Sequence, residues 1–144
     1  MQKVLPLALV LVLVGCTKTA GPQKLSPQVW QAGRRAAPVF SRADQAKDGD
    51  PAEFDAHIAE TAAAIDQVNG ASCNCSNPTV MASDQTFKDD LRNCLNFLRS
   101  YRDVREKVRR AQLKDELDGA LREKESVSAV LINCETGIAH ATGN

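Results

Sequence analysis

Four cysteines constrain the fold of this chain more than any other feature: Cys73, Cys75, Cys94 and Cys134. An even number of cysteines in an exported protein is typical of two disulfide bonds, and four cysteines allow three connectivities. A zinc site made of all four thiolates is the alternative. Such sites usually contain two CxxC-like pairs, whereas this chain has one CxC and two isolated cysteines. We therefore predict two disulfides.

The spacing of these cysteines predicts where the chain reverses direction. A bond between Cys73 and Cys75 would close a very small ring against the preferred disulfide geometry, so each is expected to bond a distant partner. Cys94 and Cys134 must then lie within about 21 Å of each other, whereas a straight helix would separate them by about 60 Å. The chain is therefore expected to turn within residues 111–119, near Lys114.

The first residues of the chain predict export. Lys3 precedes an apolar run from Val4 to Val14, and small residues close the run, which is the layout of a secretory signal. Such a run spans only about 16 Å as a helix, roughly half the hydrocarbon thickness of a bilayer. A permanent transmembrane span is therefore not expected.

The end of this segment, Leu13-Val14-Gly15-Cys16, resembles the lipobox of bacterial lipoproteins, and the resemblance covers residues 1–16. It implies that residues 1–15 are removed and that Cys16 is acylated, which anchors the protein because each buried methylene contributes about 0.8 kcal/mol. Thr17, where an Asp would favour retention in the inner membrane, favours the outer membrane facing the periplasm. The inner membrane and the cell surface are the alternatives. A plain signal peptide with an incidental Cys16 is the competing interpretation.

Residues 16–26 are predicted to form the lipidated cysteine and a flexible tether, because Gly and Pro interrupt them and no apolar periodicity is present. The remaining residues, 27–144, are predicted to form one all-α domain. We expect a small antiparallel bundle of three to four helices that two disulfides hold together.

The first two helices have clear sequence signals. Ser26-Pro27 starts the first helix, and Pro38 should kink or split it. Asp50 with Glu53 is predicted to form a capping box for the second helix, which Asn69-Gly70 ends. The apolar stripe of this second helix consists of Phe54, Ile58, Thr61, Ile65 and Val68.

The later helices have weaker signals. Residues 71–83 are predicted to be a loop, after which Ser83 or Asp84 caps a third helix. The predicted stripe of this third helix is Phe87, Leu91, Cys94, Leu98, Tyr101, Val104 and Val108. A fourth helix over roughly 115–132 is predicted to carry Leu117, Leu121 and Val130. Beyond Glu125, the segments SVSAVLINC and IAHAT also fit a short hairpin.

Charge is separated along the chain, although 18 Lys and Arg balance 18 Asp and Glu. Residues 44–66 have a net charge of −6, and residues 99–114 have a net charge of +5. In one interpretation, the second and third helices face each other and neutralise these charges. In the other, the basic segment contacts anionic headgroups or an acidic partner. The cations concerned are Arg99, Arg102, Arg105, Lys107, Arg109, Arg110 and Lys114.

Residues that could carry chemistry are few. His57 shares a helical face with Glu53 and Glu60, but no second His or Cys joins them, so a solvated histidine is the favoured interpretation. The chain has no GxSxG, no HExxH and no phosphate-binding glycine loop. We therefore predict no catalytic residue, no metal and no cofactor. Cys73-Asn74-Cys75 could form a redox couple, although redox enzymes usually place CxxC at a helix N-terminus.

The sequence thus predicts a lipid-anchored envelope protein that binds or scaffolds without catalysis, for example as an accessory factor of an assembly or secretion machine. Its expected partners are the membrane, through Cys16, and a protein of unknown identity. Nucleic acid is not expected outside the cytoplasm, and no small-molecule substrate is evident. The alternatives are a structural role through self-association of helices, a thiol-disulfide redox accessory protein, and a phage- or plasmid-type lysis or exclusion lipoprotein.

Overall fold

The computed structural model describes residues 25–143. They form four helices: α1 (Pro27–Ala46), α2 (Pro51–Gly70), α3 (Pro78–Arg110) and α4 (Lys114–Thr142). No strand occurs in this part of the chain, so the prediction of an all-α fold is confirmed. None of these four helices carries an apolar stretch of the length that crossing a bilayer requires. The predicted signal, Cys16 and the tether as far as residue 24 lie outside the described residues.

The four helices run alternately up and down. Ser26 bonds to Asp84 near the start of α3, and Arg105 near its end bonds to Lys47, so α1 and α3 run in the same direction. α2 runs opposite to α3, because its first half meets the end of α3 and its last residues meet the start of α3. Each helix packs against the next in the chain, and α4 closes the bundle against α1. The predicted antiparallel bundle is therefore confirmed.

The starts of α1 and α2 lie where the sequence signals place them, but the Ser26 hydroxyl does not cap α1, because it bonds to Asp84 instead. α1 begins at Pro27 after Ser26, and it continues through Pro38, so the helix is not split there. Buried Ala36 and Phe40 hold the chain in the core on both sides of that proline. The Asp50 side chain accepts a hydrogen bond from the backbone N–H of Glu53 at 2.9 Å, so Asp50 is the N-cap of α2 and forms its half of the predicted capping box. The whole predicted stripe of α2 is buried.

The start of α3 differs from the prediction. The helix begins at Pro78, and the Asn77 side chain caps it by accepting a hydrogen bond from the backbone N–H of Thr79 at 3.0 Å. Residues 78–83 are therefore helical, and neither Ser83 nor Asp84 is the cap. The predicted stripe of α3 is buried from Phe87 to Val104, and Val108 is half-buried.

α4 is one helix from Lys114 to Thr142, so the alternative of a C-terminal hairpin is wrong. Its core face consists of Ala120, Val127, Leu131, Cys134, Ile138 and Ala141. The predicted face is also wrong, because Leu121 is exposed, while Leu117 and Val130 are only half-buried. The physical reason is the packing of α4 against α1 and α3, which selects the face with spacings of three and four residues.

The disulfides connect differently from the prediction. Cys94 of α3 is bonded to Cys134 of α4, with Cα atoms 5.7 Å apart. Cys73 and Cys75 lie next to each other, with Cα atoms 5.1 Å apart, and the pairing of Cys94 with Cys134 leaves neither a distant cysteine, so the expectation of distant partners for these two is wrong. The facing helices bring Cys94 directly to Cys134, which leaves the two loop cysteines only each other. The predicted reversal is confirmed, because α3 ends at Arg110 and α4 begins at Lys114.

Candidate functional site

α3 and α4 extend beyond the turn that joins α1 to α2. The Tyr101 hydroxyl donates to Asp48 Oδ1 at 2.5 Å, and Arg105 donates to the carbonyl oxygen of Gly49 at 2.8 Å. On α4, Lys124 Nζ lies 3.2 Å from Asp48 Oδ1. Residues 106–123 therefore lie past this turn. We call them the hairpin tip, which projects by about 8 to 15 Å at 1.5 Å per residue.

The hairpin tip carries apolar residues that α1 and α2 do not cover. Leu113 is 64% exposed and Leu121 is 40% exposed, while Leu117 and Val108 are half-buried. Leu117 and Leu121 are spaced by four residues, so they lie along one side of α4, and Leu113 immediately precedes that helix. A cleft of about 490 Å³ opens beside the tip, between the first turn of α2 and the last turns of α3. The apolar surface of α3 and α4 thus continues after the other two helices have ended.

The two halves of the hairpin tip carry opposite charge. Residues 106–114 hold four cations and one acid, a net charge of +3, and residues 115–123 hold four acids and one cation, a net charge of −3. Lys107 of the basic half pairs with Glu123 of the acidic half at 3.0 Å. Arg109 and Arg110 both pair with Glu106, at 2.6 and 2.5 Å. The hydrogen bond from Arg109 and the charges of both arginines lower the pKa of Glu106 to about 2.

The seven cations of the predicted contact segment have separate surroundings. Among residues 25–143, one ion pair joins α3 to α2, between Arg102 and Asp55 at 3.7 Å. Arg105 caps carbonyl groups of the α1–α2 turn, and Arg99 lies 3.5 Å from the side-chain oxygen of Asn96. Arg109, Arg110 and Lys107 have the partners given above, and Lys114 opens α4. Acids of α3 and α4 therefore neutralise this segment more than acids of α2 do.

His57 has the surroundings that its helical spacing predicts. Its Nε2 lies 3.8 Å from Glu53 Oε1, and its Nδ1 lies 3.4 Å from Glu60 Oε2. All three residues belong to α2, and no group of three His, Cys, Asp or Glu side chains in residues 25–143 could hold a metal ion. These contacts lie on the surface of one helix and join only neighbouring turns.

The Cys73–Cys75 pair lies at the end of the bundle opposite to the hairpin tip. It belongs to the connection between α2 and α3, where Lys88 Nζ donates to the carbonyl oxygens of Asn69 and Ala71. Cys75 comes two residues before Asn77, the N-cap of α3, so the positive end of that helix dipole is close. These cysteines are half-buried and lie outside the hydrophobic core.

The chain enters the bundle at this same end. The Asp84 carboxylate is buried, and it accepts hydrogen bonds from the backbone N–H of Ser26 at 2.8 Å and from the Ser26 hydroxyl at 2.6 Å. Leu25 packs against the core beside this contact. The entry point of the chain is therefore fixed on α3, far from the hairpin tip. Sequence reasoning missed this role of Asp84, because its partner lies 58 residues away.

Comparison with known proteins adds no family to these observations. No protein-family model matches the chain, and neither a curated protein nor a solved structure matches it. The features that bear on function are therefore those of the chain itself: the lipobox-like segment, the Cys73–Cys75 pair and the hairpin tip.

Proposed function

We propose that this chain is a lipid-anchored protein of the bacterial envelope that binds or scaffolds another protein through the hairpin tip, without catalysis. The observation that carries this proposal is the position of the tip at the end of the bundle opposite to residue 25. The lipobox-like Leu13–Cys16 segment supports the anchor. A factor that recruits or positions a component of an envelope assembly or secretion machine would have this architecture. Thr17 favours the outer membrane, with the protein facing the periplasm.

The length of the bundle supports a partner away from the anchoring membrane. α3 has 33 residues, which gives a length of about 50 Å at 1.5 Å per residue. Residues 17–24 separate Cys16 from the first described residue, and they reach at most about 29 Å when extended. In an upright bundle, the hairpin tip therefore lies about 50 Å or more from the lipid surface.

The composition of the tip favours a protein as its partner. Exposed Leu113 and Leu121 are surrounded by charged side chains of both signs, as in the apolar centre and polar rim of a protein–protein interface. The adjacent cleft is partly open to solvent, unlike the enclosed pockets that bind small molecules. An anionic lipid surface would attract the basic half of the tip and repel the acidic half to the same extent.

Site-specific photocrosslinking in living cells tests the binding surface. A photoreactive residue at position 113 or 121 should give an adduct with another protein chain. The control is position 132 of α4, because Ile132 is 59% exposed but lies outside the hairpin tip. Adducts at position 132 that equal those at the tip, or no adducts at the tip, would contradict the proposed surface.

Replacing the acylated residue tests the anchor separately. Cys16→Ser should release the protein from membranes, because its acyl chains would be lost. Mass spectrometry of the wild-type mature protein, with and without reductant, should report both the acyl chains and the thiol count. A Cys16→Ser protein that is cleaved normally but stays bound to membranes would exclude a lipid anchor.

A thiol-disulfide redox accessory protein is the second candidate, and the position of the Cys73–Cys75 pair favours it. The pair lies in a loop outside the core, while Cys94 and Cys134 are bonded to each other, so exchange at the loop would leave the bundle intact. The purified protein should then exchange disulfides with a substrate protein at a rate that Cys73→Ser abolishes. The control is Cys94→Ser with Cys134→Ser, and a rate unaffected by Cys73→Ser would refute this candidate.

A further inference from the structure

We propose that the end of the bundle where the chain enters lies directly against the anchoring phospholipid surface, with the side chains of Trp30 and Met81 among the headgroups. This inference rests on the proposed function, because it takes Cys16 to be acylated. It adds the surface by which the folded domain itself contacts the membrane. The place of chain entry, the absence of charge and two exposed apolar side chains support it.

The chain enters the bundle within a short distance of the lipid that Cys16 is proposed to carry. Leu25 packs against the core, and two hydrogen bonds hold Ser26 on Asp84, so the entry point is fixed on α3. Residues 17–24 separate Cys16 from Leu25, and they reach at most about 29 Å when extended. The anchor therefore keeps the starts of α1 and α3 near the lipid surface.

The segments that form this end of the bundle are uncharged. Residues 25–33, which open α1, and residues 67–83, which join α2 to α3 and open α3, contain no Asp, Glu, Lys or Arg. The hairpin tip differs, since five cations and five acids lie among its 18 residues. Contact with headgroups is least costly where no charge has to be desolvated and no acid meets a lipid phosphate. The uncharged end therefore fits a lipid surface better than the tip does.

Two exposed apolar side chains lie at this uncharged end. Trp30 is 37% exposed and Met81 is 54% exposed, and each comes three residues after the proline that opens its helix. Because side chains on a helix lean towards its N-terminus, both lean towards the end of the bundle. Tryptophan is enriched where a membrane meets water, since its indole has an apolar body and a polar N–H. The bonds between Ser26 and Asp84 hold the two helix starts side by side, so both side chains can reach one surface.

The cations of α1 make an anionic phospholipid the matching surface. The guanidinium of Arg34 lies 4.9 Å from the centre of the Trp30 ring. α1 also carries Arg35 and Arg42, and it has no acid before the buried Asp44. When the Trp30 indole lies at the boundary between headgroups and acyl chains, Arg34 lies about 6 Å further from the membrane, where anionic headgroups attract it.

The fluorescence of Trp30 tests this contact, because Trp30 is the only tryptophan of the chain. The probe is the mature lipidated protein in vesicles of phosphatidylglycerol and phosphatidylcholine, with and without bromine on the acyl chains. Brominated lipid should quench Trp30. The control is Trp30→Phe with Leu113→Trp, which moves the indole to the hairpin tip and should abolish the quenching. Equal quenching in both proteins, or none at Trp30, would overturn the inference. Protection of Trp30 from both brominated lipid and soluble iodide would also overturn it, because a protein would then cover this end.

A charge placed on this end should separate it from the lipid. Met81→Glu puts an acid near the N-terminus of α3, where the helix dipole favours it, so the variant should keep its fold. Most of the quenching of Trp30 by brominated lipid should then be lost. Ile132→Glu is the control, because Ile132 is 59% exposed but lies near the Cys94–Cys134 bond, about 24 Å from the start of α3. Circular dichroism should show the same helical content in both variants, and an equal loss of quenching in the two would overturn the inference.

Loss of the anchor and loss of the contact give different results. If Cys16→Ser is cleaved normally and stays on membranes, the lipid anchor of the proposed function fails, and this inference fails with it. If Cys16→Ser is released, while the lipidated protein binds vesicles without quenching of Trp30, the anchor stands and the contact alone is excluded. Release of Cys16→Ser together with quenching of Trp30 in the lipidated protein would support both.

Discussion

Gly33 of α1 lies directly against the Phe87 ring of α3. A Cβ atom at this position would lie 2.8 Å from Cε1 of Phe87 and 3.2 Å from Cγ2 of Thr142. The Phe87 ring is buried, so it cannot move aside without disturbing the core. Gly33→Ala should therefore lower the free energy of unfolding by about 1–3 kcal/mol, despite the higher helix propensity of alanine.

A matched variant controls for helix propensity. Nothing lies within 4 Å of a Cβ atom placed on Gly137 of α4. Gly137→Ala should therefore raise the free energy of unfolding by up to about 1 kcal/mol in urea denaturation. Equal changes in the free energy of unfolding of Gly33→Ala and Gly137→Ala would mean that the contact between Gly33 and Phe87 is not tight.

Asp48 ties the α1–α2 turn to α3 and α4, and it should contribute to the pH dependence of stability. Burial raises the pKa of Asp48, but hydrogen bonds from Tyr101 and Lys124 outweigh burial, and the pKa falls below its ordinary value of 3.8. On acidification, the unfolded chain therefore takes up the proton first. The stabilisation is present above about pH 4 and is lost as the pH falls through the native pKa.

Asp48→Asn removes this titration. Urea denaturation between about pH 6 and pH 2 should show a smaller loss of stability on acidification in the variant than in the wild type. Asp90→Asn is the control, because this exposed carboxylate belongs to the surface of α3. An unchanged pH dependence in Asp48→Asn would show that the native pKa of Asp48 is not lowered.

Residues whose partners lie on the same helix could be predicted from the sequence, and others could not. The Asp50 cap and the buried stripe of α2 follow from local spacing alone. Asp is a residue type that often caps helices, but the carboxylate of Asp84 accepts a hydrogen bond from the backbone N–H of Ser26 instead. The dipeptide Asn77-Pro78, a capping residue followed by proline, is the signal that could have placed the start of α3 correctly.

At the scale of elements, the two disulfides should contribute unequally to stability. In the chain-entropy treatment, the Cys94–Cys134 bond closes a long loop and contributes about 4 kcal/mol, whereas the Cys73–Cys75 bond closes a very short loop and contributes about 1.5 kcal/mol. Thermal unfolding should therefore show a much larger loss of stability for Cys94→Ser with Cys134→Ser than for Cys73→Ser with Cys75→Ser. A larger loss for the loop pair would mean that the loop holds α2 and α3 together.

α4 shows why the sequence leaves the end of the chain ambiguous. Val127, Val130 and Ile132 are residues with high strand propensity, and short apolar runs fit both strand and helix. Packing against α1 and the bond to Cys134 select the helix. The projection of the hairpin tip beyond α1 and α2 also could not be predicted from the sequence. It depends on where α1 and α2 end relative to α3, which only the packed structure shows.

At the scale of the whole molecule, the total charge is balanced, but the two ends of the bundle carry different groups. One end holds Ser26, Asp84 and the Cys73–Cys75 pair, and the other holds the hairpin tip. The proposed anchor precedes the chain entry at the first end, which also holds the redox candidate, and the proposed protein-binding surface belongs to the other end. Variants at one end should leave the activity of the other unchanged, so the two candidate functions are separable by mutation.

The orientation of the bundle on a lipid surface is the property on which the proposed function depends most. Met81 lies near the start of α3 and is 54% exposed, and Gln112 lies in the turn after the end of α3, about 45 Å away along the bundle. With acceptor dyes in the headgroups of vesicles that carry sparse lipidated protein, a donor at position 81 should transfer energy efficiently, and a donor at position 112 should transfer little. A donor at position 96, midway along α3, should give an intermediate value. Equal transfer from positions 81 and 112 would mean that the bundle lies flat, which would turn the hairpin tip towards the anchoring membrane and contradict a partner held away from it.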